Sequence, residues 1–230
     1  MNLAFDFDGP IIDVRDRYYR AYLESLVNTS ISKEQVLNKE DFWKLKQNRI
    51  SDLEIGILSG LSIGESKESA EKRKDLTFKH DYLSLDKLFD DVYKTFDYLK
   101  SKGIYFFLVT LRRKKQLDYA IKQFKLEKHL SIERLFSIPD DYKVQNDIQE
   151  KYILLVNAIN KLKLEPRDTW LIGDADTDIH ARSLAQYGKI VSISRGVRSR
   201  EQLEVLRPHY LIDNLSELLK LVETIKIPVS

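Results

Sequence analysis

The sequence predicts an α/β fold: a Rossmann-like, doubly wound parallel sheet forms the core, and an α-helical domain is inserted into it. Short, unbroken apolar runs alternate with longer amphipathic segments. Such runs suit strands that are buried on both faces of a parallel sheet. About 70 residues after the first apolar run have helical periodicity and no convincing strand. The alternation predicts the sheet, and the helical stretch predicts the insertion.

Six apolar runs predict the strands. The clearest run, residues 104–109, is rich in the β-branched and aromatic side chains that favour strands. The predicted strands are residues 3–7, 104–109, 135–138, 169–172, 189–193 and 210–212.

Amphipathic helices are predicted between these strands. Gly103, Pro166 and Gly188 lie at or beyond the ends of three of them, where helix stop signals are expected. The predicted helices are residues 91–101, 114–124, 149–162 and 178–187. Strand–helix alternation of this kind predicts right-handed crossovers in a parallel sheet.

The insertion follows the first strand. Its helical pattern predicts a separate domain at 15–85, with the α/β core formed by residues 1–14 and 86–230. The helices predicted within it are residues 18–27, 33–47, 52–58 and 67–83.

Composition excludes several classes of function. The 230 residues contain no cysteine, which excludes disulfides and thiolate metal sites, and the net charge of +2 gives no basic tract for nucleic acid. No apolar run is long enough to cross a membrane. We therefore expect a cytoplasmic protein without a nucleic-acid or membrane partner. The sequence leaves open whether it is a monomer or a homodimer.

Polar side chains follow three of the predicted strands. Asp6 and Asp8 end the first strand, Thr110 ends the second and Asp174 ends the fourth. Ligands of open parallel sheets bind beyond the carboxyl ends of the strands, so we expect these residues to converge. Clustered carboxylates repel one another, and Mg²⁺ is the hard cation that prefers such oxygens. An ionised Asp beside Mg²⁺ can attack phosphorus, with a second carboxylate as acid and base.

Three motifs carry a resemblance to a known family. The segment FDFDGP, from Phe5 to Pro10, resembles the first motif of the haloacid dehalogenase-like superfamily, Asp-x-Asp-Gly-Thr/Val. The segment LVT, ending at Thr110, resembles its second motif. The segment LIGD, ending at Asp174 and followed by Asp178, resembles its fourth motif. Their order matches across essentially the whole chain.

The resemblance implies a role for each residue. Asp6 is expected to be the nucleophile and a metal ligand, and Asp8 the general acid/base that also offers its backbone carbonyl to the metal. Thr110 is expected to bind the transferring phosphoryl group. Asp174 and Asp178 are expected to hold Mg²⁺, the latter through water or as a supporting residue. The implied activity is a Mg²⁺-dependent phosphatase that acts on a small phosphorylated metabolite through an aspartyl phosphate.

The third motif of the superfamily is a lysine, and two residues compete for it. Lys151 opens the predicted helix that leads into the fourth strand, whereas Lys143 lies in a loop after Pro139. We prefer Lys151 as the catalytic lysine because a helix start fixes a side chain better than a loop does. Lys143 remains the alternative.

Substrate contacts are predicted from Thr110 and its neighbours Leu111 and Arg112, which stand where family members often carry Asn or Ser. Either Arg112 or the adjacent Arg113 suits a bidentate phosphate contact, although the alternative is that both are solvated residues at a helix start. The insertion resembles the family's helical (C1-type) cap, and Arg49 is its best candidate for substrate contact. Most of the cap's Tyr and Trp residues are expected to form its own core.

Two other functions share these features. A phosphomutase of the same superfamily uses the same nucleophile, metal and acid/base. A non-catalytic binding protein that keeps the fold is the second alternative, and Pro10 encourages it because proline lacks the N–H that this position normally donates.

Overall fold

A computed structural model describes residues 1–142 and 145–226, which form two compact units. The first unit comprises Met1–Ile12 and Leu88–Ser230, and the second comprises Asp13–Lys87. The predicted insertion, 15–85, falls inside the second unit. That the second unit acts as a cap stays a prediction.

The first unit contains a six-stranded sheet in the order β5-β4-β1-β6-β7-β8, and each pair of neighbouring strands is parallel. This confirms the predicted fold class. The strands are β1 (Asn2–Phe5), β4 (Tyr105–Arg113), β5 (Leu135–Ile138), β6 (Thr169–Gly173), β7 (Lys189–Ile193) and β8 (Tyr210–Ile212). Two further strands, β2 (Ile12–Asp13) and β3 (Lys87–Leu88), pair in a second small sheet that the sequence analysis missed.

The strand order determines where the site lies. β1 is flanked by β4 on one side and β6 on the other, with Phe5 opposite Leu108 and Ile172. The chain adds strands first on one side of β1 and then on the other, which makes β1 the point where the strand order reverses. Ligands of doubly wound sheets bind at this point, beyond the carboxyl ends of the strands.

Helices cover both faces of this sheet, and the first unit's helices are α6 (Val92–Ser101), α7 (Lys114–Gln123), α8 (Asp147–Leu162), α9 (Asp176–Leu184), α10 (Arg200–Val205) and α11 (Leu215–Lys226). Phe96 of α6 packs against Phe5 of β1 and Phe106 of β4, and all three rings are fully buried. A larger apolar cluster that includes Ala4, Phe107 and residues of α8 and α9 packs elsewhere in the core. Within the described residues, no helix is both long and apolar enough to cross a membrane.

The second predicted strand was expected to end at Thr110, and this was wrong, because β4 continues to Arg113. The pairing of β4 with β5 shifts register between Val109 and Arg113, after which Arg113 pairs with Ile138. Such irregularities redirect side chains beside active sites. Thr110 and Arg112 therefore lie in a distorted stretch of strand rather than in a loop.

The second unit is helical and has its own apolar core, built on Tyr22, Phe42 and Ile55. Its helices are α1 (Arg15–Ser25), α2 (Lys39–Gln47), α3 (Asp52–Leu58), α4 (Ile63–Thr77) and α5 (His80–Leu83). The single helix predicted over 33–47 is shorter because Asn38 caps α2, accepting a hydrogen bond from the Asp41 amide at 2.9 Å.

Phe96 provides a test of the core. Replacing Phe96 with Ala is expected to lower the free energy of unfolding by about 3–5 kcal/mol, because the fully buried ring stacks on Phe106 and its loss leaves a cavity. Urea denaturation measures the change. Lys94→Ala, at an exposed position of the same helix, is the control and is expected to change little. Equal losses in both variants would contradict this account of the core.

Candidate active site

The sheet brings the first two acidic residues together. Asp6 follows β1 directly, and Asp174 follows the neighbouring strand β6. The backbone N–H of Asp6 donates to the carbonyl of Ile172 at 2.8 Å, which extends the parallel pairing to the strand ends. Both carboxylates therefore lie at the carboxyl edge of the sheet, as the sequence analysis expected.

Asp6, Asp174 and Asp178 form a compact carboxylate cluster. One oxygen from each lies within 4.8 Å of the others. Lys151 completes the group: its Nζ lies 2.8 Å from Asp6 Oδ1 and 3.0 Å from Asp178 Oδ1. The Phe7 amide also donates to Asp6 Oδ1, at 2.7 Å. Asp174, Asp178 and Lys151 are almost completely buried, whereas Asp6 keeps part of its side chain accessible.

Burial dominates the electrostatics of this cluster. It raises the pKa of Asp6 to about 7, with Lys151 opposing the rise and Asp178 adding to it. It also raises the pKa of Asp174 well above the ordinary value, and the charges of Asp6 and Asp178 add to the rise. For Lys151, burial acts against the charge, but Asp178 and Asp6 outweigh it and raise the pKa. Three carboxylates thus face one ammonium group.

The loop after β7 holds Asp174 in place, and the sequence analysis missed it. The Val197 amide donates to Asp174 Oδ2 at 2.5 Å. Gly196 lies so close to this carboxylate that a Cβ there would overlap it, and the same holds for Gly9 on the other side. The sequence signal for this loop is Gly196 itself, which follows the predicted strand at 189–193. Only the fold shows which carboxylate it contacts.

The turn after Asp6 explains how the chain accommodates Pro10. Gly9 has a φ of 95°, in the left-handed region that favours glycine, and its amide donates to the Ile12 carbonyl at 2.9 Å. The Ile11 amide donates to Phe7 at 3.1 Å. Pro10 contributes its carbonyl, which accepts a hydrogen bond of 2.5 Å from Arg195. This turn is built without a hydrogen bond from position 10.

Asp8 lies apart from the carboxylate cluster and binds Arg112. Arg112 donates to Asp8 Oδ1 from Nε at 2.7 Å, and its Nη2 lies 2.6 Å from the same oxygen. The guanidinium is buried over the Phe7 ring, 4.9 Å from its centroid. The Arg112 amide donates to Thr110 Oγ1 at 3.1 Å, which links the second predicted motif to the same group.

The other predicted site residues have varied positions. Leu111 is half-buried in β4, beside Thr110, which is buried. Arg49 belongs to the second unit, where it is exposed and has a left-handed φ of 65°. Lys151 was expected to open its helix, and this was wrong. The Asn146 cap starts α8 earlier, at Asp147. Lys143 lies outside the described residues.

The carboxylate cluster fits a divalent metal ion. Its donor set consists of carboxylate oxygens, which hard cations such as Mg²⁺ and Ca²⁺ prefer. The raised pKa values of Asp6 and Asp174 indicate that Lys151 alone does not compensate the buried negative charge. A divalent cation would supply the missing positive charge. The Asp8 carboxylate is not part of this donor set.

The Rossmann-like parallel sheet, with this acidic centre at the carboxyl ends of its strands, is typical of one class of hydrolases. A family model described as haloacid dehalogenase-like hydrolase matches residues 3–187, and the chain belongs to this family. The resemblance drawn from the three motifs is thereby confirmed.

Curated relatives are similar along nearly the whole chain, and solved structures share its fold. The pyrophosphatase PpaX of Bacillus mycoides is 24% identical over 229 residues, with 97% of each chain covered. A structure of a predicted phosphatase from Clostridium acetobutylicum matches with a TM-score of 0.71 and 18% identity, covering 97% of this chain and 98% of that one. A haloacid dehalogenase-like hydrolase from Streptococcus pneumoniae matches with a TM-score of 0.70 and 16% identity, covering 96% and 97%.

The cluster predicts an unusual pH dependence of stability after chelation of metal. The folded-state pKa of Asp6, about 7, lies above the ordinary aspartate pKa of 3.8, and the pKa of Asp174 is raised in the same direction. The folded chain therefore binds protons more tightly than the unfolded chain, and its stability falls as the pH rises from about 4 through about 7.

Asp174→Asn tests this dependence because it removes one buried charge. In EDTA at about pH 8, the melting temperature is expected to rise by about 2–4 °C for each kcal/mol of relieved repulsion. At about pH 4 the change should be small. Asp118→Asn, in α7, is the matched control, because the Asp118 side chain is 39% exposed and pairs across the helix surface with Lys114. A lower melting temperature for Asp174→Asn at the higher pH would refute the account.

Proposed function

We propose that this protein is a Mg²⁺-dependent phosphatase that hydrolyses a small phosphorylated metabolite through an aspartyl-phosphate intermediate on Asp6. One observation carries the proposal. The partly accessible carboxylate of Asp6 is held by Lys151 at 2.8 Å and by the Phe7 amide at 2.7 Å, within 4.8 Å of two buried carboxylates. A fixed carboxylate beside a cation site is the arrangement that nucleophilic attack on phosphorus requires.

In the first step, an Asp6 carboxylate oxygen attacks the phosphorus atom. The new O–P bond forms as the bond from phosphorus to the leaving oxygen breaks, and Asp8 transfers a proton to that oxygen. The alcohol leaves, and the phosphoryl group remains on Asp6. Thr110 hydrogen-bonds this group, and Lys151 offsets its charge.

In the second step, water replaces the alcohol. Asp8, now ionised, takes a proton from the water molecule while the water oxygen attacks phosphorus. The bond between phosphorus and Asp6 breaks, inorganic phosphate leaves, and both carboxyl groups return to their starting states. Asp8 therefore acts first as acid and then as base.

The proposed ligands of Mg²⁺ are the carboxylates of Asp6, Asp174 and Asp178 and the backbone carbonyl of Asp8. When bound, Mg²⁺ supplies positive charge that offsets the repulsion between an anionic substrate and these carboxylates. The buried positions of Asp174 and Asp178 favour this role over direct reaction. Their orientation is held by the Val197 and Ala175 amides, respectively.

Arg112 is proposed to position Asp8. Its Nε and Nη2 both contact Asp8 Oδ1, and stacking on Phe7 limits the motion of the guanidinium. A direct contact of Arg112 with the substrate phosphate, predicted from the sequence, is the alternative. Contacts from Leu111 and Arg49 to the substrate also stay predictions.

The substrate class follows from the chemistry and the relatives. Inorganic pyrophosphate belongs among the candidates because the curated relatives are named pyrophosphatase PpaX. A phosphomutase would instead transfer the phosphoryl group between two positions of a sugar phosphate, and a non-catalytic protein would do neither. Phosphate release from a panel of phosphomonoesters and pyrophosphate separates these functions.

We also propose a cytoplasmic location, which cell fractionation tests.

Asp6→Asn tests the proposed nucleophile. The variant is expected to lose at least about a thousandfold in kcat, because an amide does not attack phosphorus as a carboxylate does. EDTA should abolish wild-type activity and Mg²⁺ should restore it. Phosphate release is the measurement, and Asp118→Asn is the control that keeps activity. Unchanged turnover in Asp6→Asn would exclude the proposed mechanism.

A second test separates the two roles of Arg112. If Arg112 positions Asp8, Arg112→Met should lower kcat by about a hundredfold with little change in KM, and Arg112→Lys should restore part of the loss. Arg113→Met, at the neighbouring exposed residue, is the matched control. A rise in KM at unchanged kcat would instead favour a phosphate contact.

A further inference from the structure

A second charged site lies in the first unit, at the opposite edge of the sheet from Asp6. A cavity of about 550 Å³ opens where β6 and β7 begin. Its lining residues are Arg167, Trp170, Arg182, Gln186, Tyr187, Gly188 and Lys189. Trp170 precedes Asp174 by four residues along β6, which places them about 13 Å apart. We call this cavity the basic cavity.

Three cations border the basic cavity without a carboxylate partner. Within residues 1–142 and 145–226, no ion pair involves Arg167, Arg182 or Lys189. His209 lies close by and accepts a hydrogen bond from the Ile190 amide. Burial lowers the pKa of His209, and the charges of Arg182 and Lys189 lower it further. The field in this region is therefore positive.

Arg182 is fixed at the wall of the basic cavity. Its Nη2 donates to the Gly188 carbonyl, and its buried Nε has no hydrogen-bond partner among the described residues. Burial also lowers the pKa of Arg182. Leaving a guanidinium N–H buried and unsatisfied costs stability.

Gly188 fixes the geometry of the cavity wall. Its amide donates to the carbonyls of Pro166 at 3.0 Å and Thr169 at 2.8 Å, and its carbonyl accepts from Arg182. A Cβ at Gly188 would overlap the Arg167 carbonyl. This close approach keeps Arg167, Arg182 and Lys189 around one space.

We infer that the basic cavity binds a polyvalent phosphate anion, namely a diphosphate group, separately from the site at Asp6. Three uncompensated cations around one cavity match a ligand with several negative charges, and the arginine fork suits phosphate oxygens. The diphosphate belongs to a free inorganic anion or to a nucleoside diphosphate. Because the cavity lies away from the acidic centre, this site is separate from the proposed substrate site at Asp6.

Tryptophan fluorescence tests this inference because the chain has two tryptophans. Trp43 belongs to the second unit, so Trp43→Phe leaves Trp170, on the cavity wall, as the sole reporter. The probes are methylenediphosphonate and α,β-methylene-ADP, which resist hydrolysis, added to the 230-residue chain in EDTA. A saturable change in Trp170 fluorescence is expected.

Variants assign the signal to one of the two sites. In the Trp43→Phe background, Arg182→Gln and Lys189→Gln should each weaken binding by at least about tenfold. Lys94→Gln, at an exposed lysine of α6, and Asp6→Asn should leave binding unchanged. Circular dichroism checks that each variant is folded.

Three results would overturn the inference: no saturable change, a change that survives both cavity variants, or a change that Asp6→Asn abolishes. The last would assign the signal to the acidic centre.

Tighter binding of the nucleotide analogue identifies a nucleotide as the source, and equal binding identifies a free diphosphate. Both of these outcomes support the site. Asp6→Asn activity is measured in parallel, so failure of the proposed phosphatase function is detected independently.

Discussion

The ion pairs of Lys151 with Asp6 and Asp178 are the interaction on which the acidic centre depends. A buried ammonium group is costly alone, and so are buried carboxylates, but each makes the other tolerable. The balance is incomplete because Asp174 adds a third negative charge. The remaining charge makes the centre suitable for a divalent cation. The core therefore contains a group that favours function at the expense of stability.

Much of the architecture could be predicted because parallel strands carry a strong local signal. The strands at Leu135–Ile138, Lys189–Ile193 and Tyr210–Ile212 have the predicted bounds. The errors occur where tertiary contacts decide the structure. β4 runs on to Arg113 because pairing with β5 resumes after a register shift, and no local pattern reports that shift. The two-residue strands β2 and β3 are too short to leave a pattern.

The residues of the candidate site could likewise be predicted from the sequence only in part. Asp6, Thr110 and Asp174 could be assigned to the candidate site because each follows an apolar run in a known motif. The bond between Arg112 and Asp8 could not, since it depends on which way a side chain turns in a distorted strand. Nor could the contacts of Gly196 and Val197 with Asp174, because the loop after β7 meets β6 only in the folded chain.

The contact between Arg195 and Pro10 has a consequence for how the protein is made. The two residues are 185 positions apart, so the turn beside Asp6 leaves the ribosome long before the arginine that supports it. At cellular synthesis rates the delay is about 10–40 s. Lys151, Asp174 and Asp178 also arrive late. The nascent chain thus carries its acidic first segment in an unassembled form until these later residues have been synthesised.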